Sequence, residues 1–184
     1  MLDNGAFSCF TRNVPFDLHG FYEWLEPILA HPHWGVVPDV IGGDVETQRQ
    51  MVKTWPFGKA YGIPVWHLGL SIDYLFELCD EWGRVCLGSS GEFWQVGAPK
   101  WSAKMDQTFN ALARRYNRLP WTHGLRMLGQ GKSEWPLSSA DSTNVALHHA
   151  EKKQCAGCTA KHINSQNPPT KWSKKPEQDS LCFM

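Results

Sequence analysis

Two aspartates stand where short apolar strands run into polar loops. Asp3 lies in Leu2-Asp3-Asn4-Gly5-Ala6-Phe7-Ser8, and Asp141 in Ser138-Ser139-Ala140-Asp141-Ser142-Thr143. Two carboxylates at one rim could run glycosidic chemistry by double displacement, one as nucleophile and one as acid/base. A single aspartate in such a place is more often a helix cap or a loop residue. The case for chemistry therefore rests on the ordered set. Between the two aspartates, further strand ends carry Asp39, His67, Gly88, and Met127 with Gly129.

These residues need elements to position them. Residues 1–3 read as the end of a strand. Short apolar runs predict further strands at 35–40, 63–68, 84–87, 124–128 and 137–141. Helical spacing predicts helices at 16–30, 44–55, 71–82 and from Trp101 to Tyr116. Asp44 and Ser71 are the caps of the second and third. Val45, Met51, Val52 and Trp55 are expected to face inward from one; Ile72, Leu75, Phe76 and Cys79 from the next. A short helix is expected at 144–152.

Alternating strands and helices make an α/β protein with a parallel sheet. An open doubly wound sheet and a (β/α)8-type TIM barrel both fit the pattern. The barrel is preferred because it brings all strand ends to one rim, whereas an open sheet uses only a switch point. Six strands fall short of a full barrel, so one or two N-terminal strands are expected to be missing. The division expected is a barrel domain at 1–152 and a polar tail at 153–184. That tail contains Cys155-x-x-Cys158.

Composition limits the function classes. The chain has 184 residues, 42% hydrophobic and 20% charged, which suits one folded domain and not a disordered chain. With 18 basic and 18 acidic residues, it lacks a whole-chain basic footprint for nucleic acid. Local basic groups would have to supply phosphate contacts. Lys100, Lys104, Arg126 and Lys132 are placed for this, while Arg114, Arg115 and Arg118 read as a solvated helix face. The ten tryptophans serve packing, or offer faces for stacking bases. The start lacks a signal-peptide pattern and no apolar run has membrane length. The six cysteines then read as reduced thiols in a cytoplasmic protein.

Taken together, the strand-end segments resemble the tRNA-guanine transglycosylase superfamily. That superfamily covers queuine and archaeosine tRNA-ribosyltransferases and the phage and bacterial relatives that place 7-deazaguanines in DNA. Asp3-Asn4-Gly5-Ala6-Phe7-Ser8 is similar to the family's Asp-Ser-Gly-Gly-Phe/Tyr-Gln segment. Pro38-Asp39-Val40 resembles the strand end whose aspartate reads the guanine edge. Val65-Trp66-His67-Leu68-Gly69 falls where the family has a Val-Gln-Gly end, with His67 in place of glutamine. Cys86-Leu87-Gly88-Ser89-Ser90-Gly91-Glu92 resembles a Gly-Gly-Leu-Ala-Val-Gly-Glu loop. Arg126-Met127-Leu128-Gly129-Gln130-Gly131 resembles Leu-Met-Gly-Val-Gly, and Ala140-Asp141-Ser142 the nucleophile's Phe-Asp-Ser. The phage-type DNA enzymes are the nearer variant.

The resemblance implies a pentosyltransferase that exchanges guanine for a 7-deazaguanine, such as 7-cyano-7-deazaguanine, in DNA or tRNA. Asp141 would attack C1′ and expel guanine. Asp3 would protonate the leaving base, then take the N9 proton of the incoming one. Phe7 would stack on the ring, with Met127 or Leu128 on its other face beside Gly129. Asp39 would accept from the base N1–H and 2-amino groups, unless Asp44 takes that role. His67 and Gly88 would complete the base contacts. A host nucleotide must leave its stack to react. The family also carries a structural zinc, for which Cys155, Cys158 and His162 are the candidates here, with Cys182, His148 or His149 as fourth ligand. The alternative is a pair of thiols in the tail. No organic cofactor is implied, and a homodimer or partner subunit is open. Other readings are a non-catalytic accessory subunit or relic of the family, or an unrelated barrel hydrolase acting on a sugar.

Overall fold

The computed structural model describes residues 1–130, 134–142, 169 and 171–176. The predicted helix at 144–152 and the boundary at 152 lie outside them. The chain divides into two units, Met1–Gly91 and Glu92–Met184.

Unit 1 is an α/β unit in which parallel strands follow one another in chain order. Its elements are α1 (Ala6–Arg12), α2 (Leu18–Leu25), β1 (Gly35–Val36), α3 (Val45–Lys53), β2 (Gly62–Ile63), β3 (Val65–His67), α4 (Ile72–Trp82) and β4 (Arg84–Gly88). Leu2 bridges Gly35 in parallel, β1 pairs with β2, and β3 pairs with β4. Pro64 separates β2 from β3. It has no N–H for a ladder, but its carbonyl accepts from Cys86 N at 2.8 Å. Parallel neighbours cannot be joined by a tight turn, so each pair needs a crossover. Helices α2, α3 and α4 are those crossovers.

Both faces of these strands are covered, which is why they read as continuous apolar runs. Ile63, Trp66, Leu68, Val85, Cys86 and Leu87 have no exposed surface. The helices start where short polar side chains can take an orphan amide. Asp17 accepts from Gly20 N–H, Asp44 from Thr47 N–H at 2.8 Å, and Ser71 from Tyr74 N–H at 3.4 Å. Helix α4 ends at Gly83, whose φ of 68° favours a residue without Cβ.

Two helical faces differ from expectation. On α4 the buried residues are Tyr74, Leu75, Leu78 and Cys79, so Tyr74 and Leu78 replace Ile72 and Phe76. On α3 the one buried helical residue is Gln48. Its amide accepts from Val40 N–H and donates to Val40 O, tying down the loop that follows Asp39. Trp55, just beyond α3, packs into a cluster with Phe21, Leu25 and Val37. Tyr22, Trp55 and Phe57 meet edge-on there, at ring separations of 5.2–6.1 Å.

Unit 2 contains α5 (Pro99–Arg115), β5 (Trp121–Gly124) and β6 (Ser139–Ala140), the two strands being parallel. Pro99 opens α5 at a position where its missing N–H costs nothing. Trp101, Met105, Phe109 and Leu112 line its buried face, as the spacing predicts. Strand β5 begins three residues before the predicted 124–128 run. The chain must turn after Gly124, because Met127 folds back on it. A Cβ at Gly124 would lie 2.8 Å from Met127 Cβ and 2.9 Å from Leu137 Cδ1. Arg126 completes the turn with a φ of 60°. The apolar residues that mimic a strand here are a turn packed into the core.

The polar segment 171–176 is anchored on α5. Buried Asn110 accepts from Trp172 Nε1 at 2.8 Å and from Lys175 N at 3.1 Å, and donates to Lys175 O at 2.9 Å. The Lys175 ammonium lies 5.7 Å from the centroids of both Trp135 and Trp172. Replacing Asn110 with alanine leaves these groups without partners, at a cost of about 1–3 kcal/mol. The Asn110→Ala variant is therefore expected to speed tryptic cleavage after the exposed Lys171 and Lys174 in the folded protein. Unchanged cleavage kinetics at these lysines would show that Asn110 is not the anchor.

No helix among the described residues is long and apolar enough to cross a membrane.

Candidate functional site

Each unit places an aspartate at a strand end beside a histidine and a serine. In unit 1 the aspartate is Asp39, just beyond β1. Its Oδ1 accepts from Asn4 Nδ2 at 2.8 Å and its Oδ2 faces His67 Nε2 at 2.8 Å. The other ring nitrogen, Nδ1, lies 3.1 Å from Ser90 Oγ. The side chains of Asp39 and His67 are only 7% and 6% exposed, so Asp39 Oδ2 and His67 Nε2 depend on each other in place of water. Register explains the meeting, since His67 ends β3 opposite Gly88 of β4. A Cβ at Gly88 would lie 2.9 Å from His67 Nδ1. The glycine at this strand end is thus room for the imidazole ring.

The polarity of the network follows from counting donors. A carboxylate only accepts, so Nε2 carries its proton toward Asp39. In the neutral ring Nδ1 is then an acceptor, and the Ser90 hydroxyl donates to it. The lone pairs of Ser90 remain to accept from a ligand. Asp39 has used about half of a carboxylate's accepting capacity of roughly four hydrogen bonds. Asp44, the competing candidate, caps α3. Its carboxyl is held below the usual range by hydrogen bonds from Thr47.

In unit 2 the aspartate is Asp141, just beyond β6. Its backbone N–H reaches Gly124 O at 3.2 Å and its carbonyl accepts from Leu128 N at 2.9 Å. Its Oδ1 accepts from the Arg126 N–H, which the left-handed turn aims at it. Its Oδ2 lies 3.9 Å from His123 Nε2, an electrostatic contact longer than a closed hydrogen bond. His123 Nδ1 meets Ser139 Oγ at 2.6 Å, and the ring stacks on Trp121 at 6.2 Å. Burial pushes the Asp141 carboxyl up, but His123 and the Arg126 amide and guanidinium outweigh it. The carboxyl titrates below the usual range and is ionised at neutral pH.

No protein-family model, curated protein or solved structure matches the chain. The geometry of the two sites therefore carries the functional reading.

The other candidates fall as follows. Asp3 is exposed on unit 1, next to Asn4 of the Asp39 network. Phe7, on α1, is 38% exposed. Met127 has no exposed surface. It fills the core over Gly124, while Leu128 is half-buried and Gly129 exposed. Among the proposed phosphate contacts, Lys100 and Lys104 lie 5.6 and 5.9 Å from the Phe93 ring centroid. Lys100 also pairs with Glu92. Desolvation lowers the titration of both Lys104 and Arg126. Lys132 lies outside the described residues. So do Cys155, Cys158 and His162, with His148, His149 and Cys182. Among the described residues no group of three or more His, Cys, Asp or Glu side chains could hold a metal ion. Trp55, Trp66, Trp101 and Trp135 are buried, whereas Trp94 is 68% exposed and Trp24 51%.

Sequence reasoning passed over Asn4, Gln48, Ser90, His123 and Ser139. Asn4 and Ser90 sit inside segments already singled out, one residue after Asp3 and two after Gly88. His123 had no such signal, because the β5 strand end was expected later in the chain.

Proposed function

We propose that this protein exchanges guanine in DNA for a 7-deazaguanine through a covalent Asp141–sugar intermediate. The observation that carries the proposal is the environment of Asp141. A nucleophilic carboxylate must be ionised and aimed, and here a turned backbone amide and an imidazole hold it in that state despite partial burial. The Arg126 amide occupies Oδ1, which leaves attack on C1′ to Oδ2. Expulsion of guanine needs a proton, and the motif assigns its delivery to Asp3. The same group would then take the N9 proton of the incoming base.

Base recognition falls to the Asp39 network. Guanine and its 7-deaza analogues share an N1–H and 2-amino edge, a row of donors that calls for acceptors. Asp39 retains accepting capacity, and Ser90 offers hydroxyl lone pairs. Phe7 supplies an exposed ring for stacking. The full (β/α)8-type barrel belongs to the same proposal. Its support is the strand order of unit 1, which runs in sequence without the reversal that marks a doubly wound sheet.

The test is exchange of labelled guanine into DNA and, separately, into tRNA. Label in DNA that Asp141→Ala abolishes supports the proposal. Label in tRNA keeps the chemistry and replaces the acceptor. No label in either, from folded protein, removes the transglycosylase reading in favour of a non-catalytic relative.

Within this reading Ser90→Ala removes one acceptor from the base edge. The expected result is a rise in KM for the free base of about 5–10-fold, worth roughly 1 kcal/mol, with kcat little changed. A fall in kcat at constant KM would assign Ser90 a different role.

A further inference from the structure

Asp39, His67 and Ser90 form an ordered relay across three strand ends of unit 1. Asp39 Oδ2 meets His67 Nε2 at 2.8 Å, and His67 Nδ1 meets Ser90 Oγ at 3.1 Å. A nucleophilic hydroxyl needs a base within hydrogen-bond reach and a third group that orients the base. Both distances lie within that reach. Such a set is recognised by geometry and roles, whatever the order along the chain. Its members stand at or just beyond the ends of β1, β3 and β4, where parallel strands deliver functional groups.

The proton positions are those a relay needs. With Nε2–H held by the Asp39 carboxylate, Nδ1 presents its lone pair to the Ser90 hydroxyl and can take its proton. Asp39 then faces an imidazolium and stabilises it. Asn4 Nδ2 holds the other carboxylate oxygen, Oδ1, at 2.8 Å. Burial is graded along the set. The side chains of Asp39 and His67 are 7% and 6% exposed, whereas Ser90 is half-buried and Gly91 after it is exposed. Gly91 has a φ of 56°, so the chain turns directly after the serine. The base and its orienting group are thus shielded from water, and the hydroxyl is the member nearest solvent. The set in unit 2 does not close in this way, since Asp141 Oδ2 stands 3.9 Å from His123 Nε2.

We propose that Ser90 is a nucleophile for acyl transfer, with His67 as its general base and Asp39 as the orienting carboxylate. The substrate is a small uncharged carboxylic ester, because the buried negative charge of Asp39 repels an anion. Ser90 Oγ bonds to the carbonyl carbon as its proton passes to His67 Nδ1. The ester C–O bond then breaks, and Nδ1 returns that proton to the departing alcohol. Water releases the acyl group by the reverse sequence. Its proton passes to Nδ1, its oxygen bonds to the carbonyl carbon, and the Oγ–C bond breaks as Oγ recovers a proton.

A fluorophosphonate reacts with such a serine by exchanging its P–F bond for P–Oγ. Peptide mass spectrometry of the treated full chain is expected to find a phosphonyl group on Ser90. The parent should also hydrolyse p-nitrophenyl acetate above the solution rate, and Ser90→Ala should fall to that rate. This variant removes a half-buried hydroxyl and keeps the Asp39–His67 pair, so circular dichroism should show a folded chain. Asp39→Asn keeps the shape of the carboxyl and should slow labelling by about a hundredfold or more. No label on Ser90, label spread evenly over several serines, or equal ester turnover by parent and Ser90→Ala would each overturn the proposal. So would a folded Asp39→Asn variant labelled at the parental rate. None of these readouts involves guanine, so the acyl chemistry stands or falls apart from base exchange.

Discussion

Replacing Asp141 with alanine is expected to lower base exchange by about 10⁴-fold or more, the scale of losing a covalent nucleophile. Asp141→Asn should lose nearly as much, because the amide keeps the shape and hydrogen bonds but cannot attack C1′. Single-turnover assays with labelled guanine would measure both, with circular dichroism as the check on folding. Retention of a tenth of parental activity by either variant would exclude Asp141 as nucleophile. The pH dependence follows from the same contacts. The Asp141 carboxyl is depressed below its unfolded value of about 3.9, so it is ionised at neutral pH and its protonation sets the acidic limb of the rate profile. Its contribution to stability is present above that unfolded value and is lost as pH falls through the lower folded one. Removing the imidazole by His123→Ala should shift the acidic limb of the rate profile upward. An unmoved limb would show that Arg126 alone sets the carboxyl.

The second large effect is expected on stability. Asp39 and His67 are nearly fully buried and joined at 2.8 Å. His67→Ala leaves the Asp39 carboxylate with the Asn4 amide as its side-chain donor among the described residues, and is expected to cost about 3 kcal/mol, the lower end for breaking a buried pair. Asp39→Ala should cost a similar amount by stranding the imidazole and the Asn4 amide. The double variant is the decisive measurement. Partners of this kind couple, so its cost should fall short of the sum by about 1 kcal/mol or more in urea unfolding. Strict additivity would mean that the two side chains do not depend on each other. Gly88→Ala should destabilise as well, since its Cβ would press on His67 Nδ1 at 2.9 Å and on Val65 Cγ1 at 3.2 Å.

The two aspartate sites share a polarity. In each, serine meets the Nδ1 of a strand histidine, and the histidine Nε2 faces a carboxylate. Closing distance separates them. In unit 1 the histidine and carboxylate are hydrogen-bonded at 2.8 Å and buried, which suits a fixed recognition group. In unit 2 the carboxylate is 37% exposed and stands 3.9 Å from the ring, which leaves it room to react. That contrast between a held carboxylate and an accessible one matches the roles proposed for Asp39 and Asp141.

Local signals predicted much of this architecture because they depend on nearest neighbours. Asp44 and Ser71 mark helix starts, since capping needs only an amide three residues on. The buried face of α5 follows from spacing alone. The runs at 35–40, 63–68 and 84–87 mark strands, because strands buried on both faces must be apolar throughout. The carboxylates that stand at the strand ends were legible on the same grounds.

What the sequence by itself determined, then, is the alternation of elements and the residues at their ends. The tertiary structure decided which of those residues meet. Asn4 reaches Asp39 across 35 positions, and Ser90 reaches His67 across 23, through register that no local pattern encodes. Gly124 looked like the start of a strand, but Met127 and Leu137 close over it and turn the chain. The polar segment at 171–176 looked like a tail until Asn110, 65 residues from Lys175, supplied its partners. Such contacts depend on side chains brought together by the fold. A periodicity reports burial along one element, whereas a hydrogen-bond network requires several elements to be in place at once.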